Sequence, residues 1–265
     1  MLVDTFMFYN EFDVLELRLM LLDKYVDRFV LVESEVTHAG GPKELFFHTN
    51  RERYAKWLSK IVHVIVTADE SPKDSNPWAR EKYQRHCILK GLEAGCTVDG
   101  TPVASVPDEA IVMISDVDEI PDMTKVPWEN LPHSMASVHM WMFEYSCDYV
   151  FTGEPWFGTV LTTCKLMKAV GPNRFREGRW KFPTYQYAGW HLSSFGDGKH
   201  VYHKIQTYAH AKDADRTKET PELYEYYIQN RMHHDGKQQL IVRPPEVPLP
   251  APVEVLQRLG LGTFP

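Results

Sequence analysis

The stretch from Ile111 to Pro121 limits what this chain can fold into more than any other. An apolar run, Ile111, Val112, Met113 and Ile114, passes through Ser115 into Asp116, Val117, Asp118 and Glu119 and stops at Ile120 and Pro121. Such a run reads as a buried strand that delivers carboxylates to a loop at its C-terminal end, the edge at which open α/β sheets bind ligands. In extended geometry Asp116 and Asp118 point to one side while Val117 turns back into the core. Two carboxylates on one side offer hard oxygen donors to Mg²⁺ or Mn²⁺, and such an ion typically holds nucleotide phosphates. The spacing alone fits a strand-end turn with helix-capping acids equally well. A second copy at Asp213 and Asp215 has no strand in front of it and reads as a solvated loop or helix start.

The flanking pattern supplies the context. Residues 2–8 form a short apolar run, the first strand, ending at Asn10 and Glu11. Asp13 is placed to cap a helix whose apolar positions from Val14 to Leu22 cover too broad an arc for a surface helix. Residues 28–32 are a second strand ending at Glu33 and Glu35, and the glycines of Gly40, Gly41 and Pro42 permit close backbone approach. A helical segment over 51–59 and a strand over 61–66 follow, so strand and helix alternate as in a parallel, Rossmann-like sheet.

A helix from Pro77 to Leu92, stopped by Gly95, carries Glu81 and Arg85 at i,i+4 spacing. If it lies over the sheet edge, the Arg85 guanidinium can meet a diphosphate. A strand over 135–143 leads into Glu144, Tyr145, Asp148, Tyr149 and Trp156, aromatics beside carboxylates that suit a sugar and equally a buried aromatic cluster. Gly189 and Gly196 bracket His191 and Asp197. His200, His203 and His210 follow without a zinc-protease motif. Thr220 caps a helix through Met232, with Gly236 beyond it, and the prolines from Pro244 to Pro252 impose an extended strap. Residues 1–242 are thus read as one catalytic domain and 243–265 as a Pro-rich strap with a short helix.

At 265 residues the chain can bury a full core, and 43% hydrophobic with 25% charged residues excludes wholesale disorder. A net charge of −7 weighs against nucleic acid as the main partner. The four cysteines, Cys87, Cys96, Cys147 and Cys164, form no close pair, which indicates neither a zinc knuckle nor a disulfide framework. No basic n-region and no bilayer-length apolar run is present, so a cytoplasmic protein is expected.

Four blocks in order resemble glycosyltransferase family 17: Asn10 to Arg18, Val26 to Ser34, Ile114 to Pro121, and Gly189, Trp190 and His191 with Lys204 downstream. The resemblance implies an α/β GT-A fold, a Rossmann-like mixed sheet flanked by helices, and a metal-dependent, inverting transfer from a nucleotide-diphosphate sugar. It makes Asp116 and Asp118 the metal and diphosphate loop and His191 the third metal ligand. Asn10, Glu11 and Glu33 are placed for the uridine of a UDP-sugar, with Arg85 and Lys204 also on the donor. The family's best-known members transfer N-acetylglucosamine to N-glycans. Unlike those animal enzymes, this chain shows no anchor or stem and no cysteine-rich surroundings at His191, so a bacterial or viral member is expected. The acceptor proton needs a carboxylate base; the candidates are Glu144, Asp148, Glu177 and Asp197, with Asp148 or Glu144 favoured. The rival readings are a catalytically silent carbohydrate-binding relative and a viral enzyme that glycosylates nucleic acid.

Overall fold

A computed structural model describes residues 1–74, 76–209 and 218–262. Asp213, Asp215 and His210 lie outside the described residues. The elements run β1 (Leu2–Met7), α1 (Phe12–Leu22), β2 (Arg28–Ser34), α2 (Phe46–Asn50), β3 (Ile61–Val66), α3 (Pro77–His86), β4 (Gly95–Cys96), β5 (Pro102–Val103), β6 (Ile111–Asp116), β7 (Glu119–Pro121), β8 (Met135–Glu144) and β9 (Ser146–Thr163). Then come α4 (Cys164–Val170), α5 (Pro172–Gly178), β10 (Thr184–Tyr185), β11 (Gly189–Ser193), α6 (Gly198–Thr207), α7 (Pro221–Gln229), β12 (Ile241–Val242) and α8 (Val253–Arg258).

The main sheet has the order β3-β2-β1-β6-β9-β8-β11-β7, with β10 on β8 and β12 on β9. Strands β3, β2, β1 and β6 are parallel, and β9 runs antiparallel to both β6 and β8. This is the mixed, helix-flanked sheet expected of the GT-A class. The parallel half is buried on both faces, as its uninterrupted apolar runs require. Along β2 the alternation is complete: Phe29 and Leu31 pack on one face with Leu15 and Leu19 of α1, while Val30 and Val32 pack on the other with Ile88 and Leu92. Residues Val247, Leu249 and Leu256 beyond the last strand cover Leu17 and Trp190, and the Trp190 indole donates to the Pro248 carbonyl.

Local expectations differ from the structure at several ends. Helix α1 begins at Phe12, so Asp13 sits in its first turn rather than at the cap. The segment over 51–59 is a 3₁₀ helix from Arg51 to Trp57, following α2. The long helix to Leu92 is α up to His86 and 3₁₀ from Cys87. That tighter turn carries Gly91 against β2, where an added Cβ would stand 2.2 Å from Val30 Cγ1. Helix α7 stops at Gln229, three residues before the expected Met232. At Gly40 (φ +101°) the close approach is to the Arg80 guanidinium, 2.9 Å from an added Cβ, so this glycine accommodates the protein's own side chain.

Candidate active site

The parallel register brings the ends of β1, β2 and β6 to one edge, with Met7 opposite both Asp116 and Val32. A cleft of about 890 Å³ opens there, lined by the β1 end, the loop after β2, α3, the acidic loop, α5, β9, β11 and α6. Glu11, Arg85, Asp116, Asp118, His191 and Lys204 all line it. Apart from Asp116 and Asp118, which share one loop, these residues are far apart in sequence and meet only through the topology.

The acidic loop is held from behind by Arg18. This fully buried arginine of α1 pairs with Asp4 through Nε and Nη2 (2.8 and 2.6 Å). Its Nη1 donates to the carbonyls of Asp116, Val117 and Glu119 at 3.3, 3.2 and 2.6 Å. One rigid guanidinium therefore sets the path of the backbone that carries both aspartates.

From the other side Arg176 of α5 binds Glu119 through both terminal nitrogens (2.6 and 2.9 Å) and Asp116 Oδ2 at 2.7 Å. Arg85, paired with Glu81 at 2.5 Å, stands 3.6 Å from Asp116 Oδ1. Burial opposes ionisation of Asp116, but Arg176 and Arg85 outweigh it and hold the carboxyl below the ordinary range. Asp118 is buried as well, and Lys204 at 3.1 Å and His191 at 3.6 Å overcome that penalty and depress its pKa. The Lys204 ammonium would lose its proton more easily through burial, yet Asp118 and Glu11 raise its pKa instead. Both aspartates are thus anionic across the neutral range.

His191 reaches Asp118 through strand pairing. Strand β7 turns back antiparallel to β11, placing His191 opposite Glu119, and Leu192 N–H donates to the Asp118 carbonyl at 2.8 Å. Trp156 of β9 stacks on the His191 ring (4.3 Å, 18°) and donates from Nε1 to Glu119 at 2.9 Å. Two carboxylates and an imidazole are a suitable donor set for Mn²⁺ or Mg²⁺. Asp116 Oδ1 is buried and accepts no hydrogen bond, which leaves an oxygen for a cation. The donor types suit an ion, and Asp118 and His191 stand 3.6 Å apart, although the ligand atoms of the three residues do not all lie within 4.8 Å of one another.

The remaining expected residues are placed differently. Asn10 does not line the cleft; its backbone N–H donates to Glu11 Oε2 at 3.1 Å. Glu33 is fully buried behind the wall, accepting from Phe47 N–H (3.0 Å) and held by Lys43 and His63. Glu144 is fully buried beneath His233 and His234. Asp148 accepts from Ser146 Oγ at 3.0 Å and, like Glu144, does not line the cleft. Asp197 caps α6, accepting from His200 N–H. Glu177 lines the cleft and pairs with Lys82 at 2.7 Å.

Sequence reading misses Arg18, Arg176, Glu154, His233 and His234, whereas Trp156 is among the aromatics it takes to suit a sugar. Of the residues missed only Arg18 carries a usable signal, an arginine inside an otherwise apolar helical face.

The family model of glycosyltransferase family 17 matches residues 1–246. The chain belongs to glycosyltransferase family 17. No curated protein sequence matches it. Fourteen solved chains match in structure. One of them is glucosyl-3-phosphoglycerate synthase from Mycobacterium tuberculosis, determined in complex with Mn²⁺, uridine diphosphate and phosphoglyceric acid. It is 14% identical, with 72% of this chain and 68% of that chain covered and a TM-score of 0.34. As a family 17 member the chain is a glycosyltransferase. Among the described residues no helix is long and apolar enough to cross a membrane.

Proposed function

We propose that this glycosyltransferase moves a sugar, N-acetylglucosamine or a related hexose, from a UDP-sugar to a hydroxyl of a carbohydrate acceptor, with inversion and with Mn²⁺ or Mg²⁺. The observation that carries the reading is the meeting of Asp116 and Asp118 with Arg85, Lys204 and His191 in one cleft at the carboxyl edge of parallel strands. Its volume of about 890 Å³ suits a nucleotide sugar.

In this reading Asp118, His191 and Asp116 Oδ1, which takes no hydrogen bond but has Arg85 at 3.6 Å, would hold the ion, which when bound neutralises charge developing on the leaving diphosphate. Arg85 and Lys204 add fixed positive charge on the donor side. Glu11 borders the uridine, with Asn10 beside it, while Glu33 acts from behind by fixing Lys43, which lines the same wall. The exposed Trp180 offers an apolar ring face to sugars. An α-linked UDP-sugar with Mn²⁺ is expected to raise the melting temperature and to yield a β-linked product, read by NMR of the anomeric proton. An α-linked product would overturn the single displacement, and no response to any UDP-sugar would overturn the donor class.

Inversion needs one carboxylate as proton acceptor and none as nucleophile. Glu144 and Asp148 stand behind the wall; Glu154, on β9 two residues from Trp156, lines the cleft, as does Glu177. Single amide replacements at these four positions should leave donor binding nearly intact, with one variant losing turnover by roughly 10²-fold or more. Normal turnover in all four would remove the base from this side of the cleft.

A further inference from the structure

We propose that Glu144, His233 and His234 form a second cation site, separate from the acidic loop, which binds one Zn²⁺-class ion. Among the described residues, these three form the one group of histidine, cysteine and acidic side chains whose ligand atoms all lie within 4.8 Å of one another. Glu144 is fully buried, and its Oε2 accepts no hydrogen bond of good geometry although the Tyr145 phenol stands beside the carboxylate. His233 Nε2 faces that oxygen at 3.6 Å, too far for a hydrogen bond. His234 Nδ1 lies 2.7 Å from Oε1. Ligands around a tetrahedral zinc are about 3.3 Å apart, given metal distances near 2.0–2.2 Å; the 3.6 Å contact is close to that spacing and the 2.7 Å contact opens toward it.

The surroundings favour a metal over a plain ion pair. His233 Nδ1 stands 3.1 Å from Asp235 Oδ1 and 3.3 Å from the Asp235 backbone N–H, which donates to it, so one residue fixes the outer side of the imidazole with its other nitrogen inward. The two rings are held by a short turn: Gly236 N–H donates to the His233 carbonyl, and His233 N–H to the Gln238 carbonyl. Gly236 is required there, with φ +69° and an added Cβ 2.6 Å from the Tyr227 hydroxyl. Two imidazoles and one carboxylate select Zn²⁺, Co²⁺ or Ni²⁺ over Mg²⁺. Three protein ligands leave a fourth position, and both histidines line the cleft. The ion ties the turn after α7 to the end of β8, and a Glu144 committed to it is not available as the general base.

The test is titration of metal-stripped protein with ZnCl₂ by calorimetry and with Co²⁺ by visible absorption, in the Asp118→Asn background so that the acidic loop contributes little. One equivalent should bind and raise the melting temperature. Glu144→Gln, His233→Ala and His234→Ala should each weaken binding by about a hundredfold or more, and Asp235→Asn by roughly 10–100-fold, the cost of losing an outer partner. His200→Ala, at an exposed histidine, should change nothing. If Glu144→Gln fails to fold by circular dichroism, His234→Ala decides, because its side chain is a quarter exposed. Absence of a one-equivalent site, or binding unchanged in His234→Ala, would overturn the proposal.

Discussion

Asp118→Asn is expected to leave a folded protein that has lost transfer by roughly 10²–10³-fold, the scale for removing one preorganised electrostatic contact to developing charge. The replacement is nearly isosteric and keeps an oxygen toward His191, but it removes a buried negative charge. Lys204 retains Glu11 as a counter-charge, so the vacated ion pair does not leave an isolated cation. The Mn²⁺-dependent part of the UDP-induced rise in melting temperature should fall with activity, while the melting temperature without ligand changes little. Full turnover in the purified variant, with metal still required, would place the ion elsewhere.

Arg18→Met should act on the other side of the loop, through stability. It strands the fully buried Asp4 carboxylate and frees three carbonyls of the acidic loop. Breaking a buried pair by removing one partner costs roughly 3–5 kcal/mol, which in a chain of this size lowers the melting temperature by roughly 5–10 °C. Replacing both partners, Asp4→Leu with Arg18→Met, should recover part of the loss, since no uncompensated charge is then buried. Denaturant unfolding of the two variants measures it. A loss below about 1 kcal/mol in the single variant would mean that Arg18 is incidental to the loop's position.

The strands of the parallel half and the acidic loop at their edge were legible in the sequence, because strand burial and side-chain alternation are local, period-two properties of the chain. Glu33, expected at the uridine, is fully buried and does not line the cleft. It shares parity with Phe29 and Leu31, and that alternation turns it into the core where Phe47 and His63 hold it. Arg85 lies where a helix over the sheet edge had to put it, and Glu11 and Lys204 lie in the same cleft.

What only the tertiary structure decided depends on contacts between distant segments. His191 meets Asp118 because β7 reverses against β11, a pairing with no local signal. Arg176 comes from α5, a short helix with no apolar period, yet it closes the network on Asp116 and Glu119. Glu144 and Asp148 follow the same strand and look equivalent in sequence. One ends beneath two histidines from a turn ninety residues away and the other against Ser146. Burial and partner assignment are properties of the packed chain, whereas strand and loop positions are written in local apolar periodicity.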